Sequence, residues 1–346
     1  MKNKILFRAV LALGCCALLA PNHALSQSGY HLLKKTVIGG EGGWDYLSVD
    51  EQNRRLYISH GTKVEVLNAD NHEKIGIVGG LQGVHGAIAV PSKGRGITTN
   101  GRTGNLTIFD LATLKVVAEI PAGKNPDALL YDPFSDRVYV FNHSGGDVTV
   151  VDIGAAKVTG TVVIGGDGLE AGVSDGKGTI FVNLEDSHEI VSFDTKTLAV
   201  RNRWKLTPGE EPTGLAYDAA HHRLFSACHN ELLIVLDSET GKVVGQVPIG
   251  KRVDGVVFDP FAQVAITSNG EGTITVVKEV SPDEFKVLET VKTAVGARTI
   301  TLDPRTHHVF LSSADFGETP APTTDNPRPR PKVVPGSFFV MEIGVR

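Results

Sequence analysis

The sequence predicts an all-β fold, a seven-bladed β-propeller of four-stranded blades closed by its N-terminal strand. Three observations carry that reading. No stretch sustains the apolar period of an amphipathic helix, whereas short β-branched runs separated by Gly, Pro, Asn and Asp recur along the chain. A unit of about 42 residues repeats seven times. The two ends of the chain hold complementary fragments of one such unit.

The clearest copy is DPFSDRVYVFNHSGGDVTVVDIGAAKVTGTVVIGG, residues 132–166. Asp132-Pro133 makes a turn, and strands follow over Arg137–Asn142, Asp147–Asp152 and Lys157–Ile164. Ala128–Tyr131 precedes the turn as a further strand, which makes four strands per repeat. Further copies begin at Arg54, Gly94 and His222, and weaker ones near Thr179, Ala262 and His307. The residues that open the first strand of each copy are Asp45, His85, Asp127, Glu170, Thr213, Asp254 and Arg298. Their intervals of about 40 to 44 residues match the period of a four-stranded blade. The last copy ends at Ser337–Gly344, a third strand without a fourth. LLKKTVIGG, residues 32–40, reads like the missing fourth strand, and pairing the two ends removes an open sheet edge.

Units such as RVYVFN, RLYISH and DSETGKVVGQVPIG resemble the YVTN-repeat family of bacterial β-propellers and its secreted YncE-like members. The resemblance spans nearly all of residues 27–346. It implies the propeller scaffold and names no activity, because one scaffold of this kind hosts many functions.

Residues 1–26 read as a secretory signal peptide. Lys2, Lys4 and Arg8 precede the apolar run Val10–Ala20, and Ala24-Leu25-Ser26 offers small residues for cleavage after Ser26. The run is too short to span a bilayer, so release into the periplasm or the medium is expected. Cleavage removes Cys15 and Cys16, leaving Cys228 alone and no intramolecular disulfide. With 34 Lys+Arg against 39 Asp+Glu and a net charge of −5, the chain is unsuited to non-specific nucleic-acid binding. A hydrophobic content of 41% with 21% charged residues fits a globular domain, expected here to be a monomer without a membrane span.

Function is sought on one face. The connection into each first strand and the loop between the second and third strands lie together at the mouth of the central tunnel. There the sequence gathers Asp45, His85, Asp127, Glu170, Asp254 and Arg298, joined by Asn142, His143, Cys228 and His229 from the second loop set. Trp44 and Tyr46 either stack on a ligand or pack between blades. A Pro-rich insertion, residues 316–336 of blade 7, serves as a lid, a docking strip or a solvated decoration. His221-His222 and His307-His308 lie in outer turns, where metal binding is not expected.

Two functions compete. The first is a binding protein for a protein, glycan or small ligand, with Trp44, Asp45, Asp127, Asn142, His143, Thr213, His229 and Asp254 as contacts. The second is a lactonase-like hydrolase or lyase, with His85, Glu170 and Arg298 as acid, base and oxyanion partner. No cofactor motif is evident, but a divalent cation, Ca2+ or Zn2+, is compatible with the ring of carboxylates and imidazoles. A redox subunit similar to the methylamine dehydrogenase heavy chain would need a partner to carry the cofactor, and the sequence has neither a haem-attachment motif nor a Gly-rich nucleotide loop.

Overall fold

A computed structural model describes residues 29–321, 323, 329 and 331–345. The proposed signal peptide therefore lies outside the described residues. Among the described residues seven four-stranded antiparallel sheets form the blades, and six of them run in sequence order from an inner first strand to an outer fourth strand, the seventh taking its outer strand from the N-terminus. Blade 3 has strands Pro126–Asp132, Arg137–Asn142, Asp147–Asp152 and Lys157–Val163, close to the bounds expected from its repeat. Among the described residues no helix is long and apolar enough to cross a membrane.

The repeat pattern has a packing cause. Second and third strands bury side chains on both faces, because each blade is sandwiched between two neighbours. Tyr139, Phe141 and Val150 of blade 3 pack against Ile180, Val182 and Phe193 of blade 4, and similar clusters fill the other inter-blade spaces. A single unit cannot bury both faces alone, so the ring must be complete to be stable.

Closure follows the expected route. The N-terminal strand His31–Val37 pairs antiparallel with Phe339–Gly344 and becomes the outermost strand of blade 7. Arg54 adds a buried tie across the seam between blades 1 and 7. Its Nη1 and Nη2 donate to the two oxygens of Asp303 at 2.9 and 2.6 Å.

The Pro-rich insertion is anchored at its base. Phe316 bridges Val333, and Gly317 N–H donates to the Lys332 carbonyl. Phe316 also packs on Trp44.

Candidate functional site at the tunnel mouth

The first strands of all seven blades line a central cavity of about 170 Å³. Its wall is built largely from small residues, including Ala87, Ala128, Ala171, Gly172, Gly214 and Gly255. Gly214 is required by close approach: a Cβ there would lie 2.6 Å from the Val256 backbone nitrogen.

A repeated irregularity aims the mouth residues. In blades 2 to 7 the first strand slips register against the second within its first three residues, as between Val84 and Ala87 or Pro126 and Leu129. A bulge of this kind redirects one side chain out of the sheet alternation. His85, Asp127, Glu170, Thr213, Asp254 and Arg298 all occupy these bulged segments.

The structure brings most of the expected ring into contact. His85 Nδ1 lies 2.7 Å from Asp45 Oδ2 and 2.9 Å from Asp127 Oδ1. His143 Nδ1 lies 3.0 Å from Glu170 Oε1. Arg298 reaches Asp254 at 3.3 Å and donates to the Trp44 carbonyl. His229 stands 3.3 Å from Glu211 and 3.7 Å from Glu185 on the outer part of the rim. Two atoms remain without a satisfactory hydrogen bond. Asp127 Oδ1 and His143 Nδ1 are buried, and their ionic neighbours approach off the hydrogen-bond direction.

These contacts shift the titrations. Burial works against the His85 imidazolium, but Asp127 and Asp45 outweigh it and raise its pKa to about 10. His143 rises to about 9, mainly through its pairing with Glu170. Burial pushes Glu170 up to about 8, against the pull of His143, so the pair retains a proton near neutrality. Burial raises Asp254 to about 6 despite Arg298, and it also raises Asp45. Tyr46 lines the cavity beneath. Burial and the charges of Asp127, Glu170, Asp45 and Asp254 hold its phenol well above the usual range.

Three of the expected ligand contacts lie buried among protein partners. Trp44 packs against Phe316 and Phe338 and donates Nε1–H to the Gly296 carbonyl, so its ring is a packing element. Asn142 is fully buried and donates to Asp147 and Thr149, bracing its own hairpin. Asn100 and Asn269 do the same in blades 2 and 6. Thr213 is also buried, and its carbonyl accepts from Asn183. Cys228 is a buried thiol whose pKa burial pushes up to about 12, which leaves it unsuited as a nucleophile.

Sequence reasoning missed Glu211 and Gly101. Glu211 lies two residues before the expected mouth position of blade 5. Gly101 faces His85: a Cβ there would lie 2.5 Å from His85 Nε2.

Several groups of side chains have the composition and spacing of metal sites. Three lie on the rim: Asp45/His85/Asp127, Asp127/His143/Glu170 and Glu185/Glu211/His229. Asp218/His221/Glu279 forms a fourth, away from the mouth.

Residues 55–130 match the family described as Cytochrome D1 heme domain, a segment that includes His85 and Asp127. No curated protein matches the chain. A chain in the crystal structure of the mitotic checkpoint complex is similar in fold, with a TM-score of 0.72 and 11% identity, covering 98% of this chain and 99% of that one. Hydrazine synthase of Kuenenia stuttgartiensis has a TM-score of 0.66 and 14% identity over 80% of this chain and 92% of that one. At such identities the likeness shows the propeller fold.

The residues present do not fit a tetrapyrrole. The central cavity is smaller than the roughly 300 Å³ at which drug-sized pockets begin. Of the histidines in the matched segment, His60 and His72 are buried in blade packing, and His85 turns its Nε2 edge onto Gly101.

Proposed function

We propose that this chain is a binding protein of the YVTN-repeat, YncE-like kind that holds a small polar ligand on the rim of its tunnel mouth. In this reading residues 1–26 are a signal peptide cut after Ser26, and residues 27–346 are the propeller that works in the periplasm or the medium. The observation that carries the binding role is Asp127. This carboxylate links the two acid–base groups of the rim, and its buried Oδ1 lacks a hydrogen bond. A buried acceptor in that state favours any ligand that brings a hydroxyl, an ammonium or a cation. The narrow tunnel below suits a ligand seated on the rim, with His85, His143 and Arg298 as donors and Asp45, Glu170 and Asp254 as acceptors.

The test is a thermal-shift and calorimetric panel of sugars, polyols, sugar lactones, Zn2+ and Ca2+. A binder that raises the Tm of the wild type should lose that effect in Asp127→Asn. A binder indifferent to both Asp127→Asn and His143→Gln places the site elsewhere.

A second reading, a lactonase-like hydrolase or lyase, is favoured by the proton shared between Glu170 and His143. A group that titrates near neutrality can serve as general acid or base. Lactone hydrolysis followed by pH-stat, abolished in Glu170→Gln, would support it; binding without turnover of any lactone or ester would reject it. A metal at Asp127/His143/Glu170 would be of the zinc class rather than Ca2+, since one donor is an imidazole.

A further inference from the structure

Blade 6 breaks the repeat at one buried position on the face opposite the mouth. Its third and fourth strands, Thr273–Ser281 and Glu284–Lys292, are nine residues long, against six and seven in blade 3. In blades 1, 2, 4 and 5 the residue just after the third strand donates its N–H back to the turn before the second strand, as Ala69 does to Arg54 and Leu111 to Gly94. Thr195 and Ser238 complete that set, and none of the four residues is ionisable. Blade 6 places Glu279 there, with its N–H on the Gln263 carbonyl and its side chain 1% exposed.

No hydrogen bond from the scaffold satisfies this carboxylate. Neither oxygen has a hydrogen bond, and Oε1 stands 3.2 Å from Nδ1 of His221 on blade 5. The same nitrogen lies 2.7 Å from Asp218 Oδ2. The Asp218–His221 contact is ordinary turn chemistry: Asn53, Ser135 and Thr306 bond Asp50, Asp132 and Asp303 from the same turn position. Glu279 is the addition. Arg223, the cation beside it, is engaged by Asp237, Asp283 and the carbonyls of Pro282 and His221. Burial and the nearby Asp218 charge hold Glu279 up to about 7.

We propose that Asp218, His221 and Glu279 form an inter-blade site for a divalent cation of the zinc class, which ties blade 5 to blade 6. One imidazole nitrogen and two carboxylates make a donor set that suits such an ion, with a fourth position left for water. Bonds of about 2.0–2.1 Å in a tetrahedron put ligand atoms roughly 3.3 Å apart. The His221–Glu279 separation of 3.2 Å already meets that, and the Asp218–His221 separation of 2.7 Å must open by about 0.6 Å. His221 Nδ1 is itself buried without a hydrogen bond and faces both carboxylates, and the partly exposed imidazole gives a cation a path from solvent.

The test uses the full propeller, stripped of metal and carrying Asp127→Asn and His229→Gln, so that each of the three rim clusters loses a ligand. Zn2+ alone is added at neutral pH, read by calorimetry and by melting temperature. The parent should bind Zn2+ and melt higher with it, and Glu279→Gln should weaken that site at least tenfold. Glu279→Leu, which restores the residue type of blade 2, should fold, melt at or above the metal-free parent, and gain nothing from Zn2+. A parent with no Zn2+ response overturns the proposal, as does a response that survives in both Glu279 variants. Parent and variants share the Asp127 and His229 substitutions, so these results are separate from ligand binding at the mouth.

Discussion

Replacing Asp127 by Asn should move four titrations in one direction. The substitution keeps the side chain's size and removes one charge from between two imidazoles. His85 loses one of its two carboxylate partners, 2.9 Å away, and an opposite charge at such range is worth roughly 1–3 pKa units. Its value should fall from about 10 by that order. His143 also feels the Asp127 charge and should fall from about 9 by less. Glu170 and Asp45 are raised partly by repulsion from Asp127, so both should fall as well. Asp45→Asn is the control. It should lower His85 yet leave His143 in place, because the charges that raise His143 are those of Glu170, Asp127 and Glu185.

The stability consequence has a fixed sign. His85, His143 and Glu170 all have folded pKa values above their unfolded ones, so the native state binds extra protons. The stabilisation from the two histidines is complete below about pH 6.5 and is lost as pH rises through about 9 and 10. Glu170 adds a loss of the same sign between the usual carboxylate range and about pH 8. Each extra proton tilts the unfolding free energy by about 1.4 kcal/mol per pH unit. Urea unfolding between pH 6 and 10 should show this decline, with a shallower slope in Asp127→Asn. Histidine NMR titration reads the individual sites. A wild-type His85 that titrates near 6.5, or one that ignores Asp127→Asn, refutes the reasoning.

Other outcomes follow from the same contacts. Arg54→Met removes the buried partner of Asp303 at the closing seam and should cost about 3–5 kcal/mol in urea unfolding. Deleting residues 29–37 leaves Phe339–Gly344 as an uncovered edge, and size-exclusion chromatography should show aggregation. Gly101→Ala sets a methyl against His85 Nε2 and Asn125 Oδ1; it should shift the His85 resonances and destabilise by roughly 1–3 kcal/mol. Cys228 should resist thiol reagents in the folded protein and react only on denaturation.

The fold was legible in the sequence because propeller packing imposes a period: each unit meets the same two neighbours. The mouth was legible for the same reason. A residue that opens the first strand of every copy occupies one place on the ring, so Asp45, His85, Asp127, Glu170, Asp254 and Arg298 were found by register alone. Asn142 and Trp44 show what register leaves open, because proximity to the mouth in sequence does not say which way a side chain turns. Asn142 points into its own hairpin, and Trp44 fills the gap beside Phe316 and Phe338. Glu279 stayed hidden because its oddity appears only beside Leu111 and Ser238, and its partners lie on another blade.

The rim also bears on the integrity of the ring. Asp45 and His85 join blades 1 and 2, His85 and Asp127 join 2 and 3, and His143 and Glu170 join 3 and 4. His229 and Glu185 approach across 4 and 5, and Asp254 and Arg298 join 6 and 7. A buried charge left unpaired costs several kcal/mol, so each pair offsets the desolvation of its members while bridging a seam. A ligand that displaced a complete pair would therefore loosen the ring it sits on. One that engages Asp127 Oδ1 meets an oxygen that stands 2.9 Å from His85 Nδ1 without a completed hydrogen bond, so it leaves the His85–Asp45 hydrogen bond across blades 1 and 2 in place.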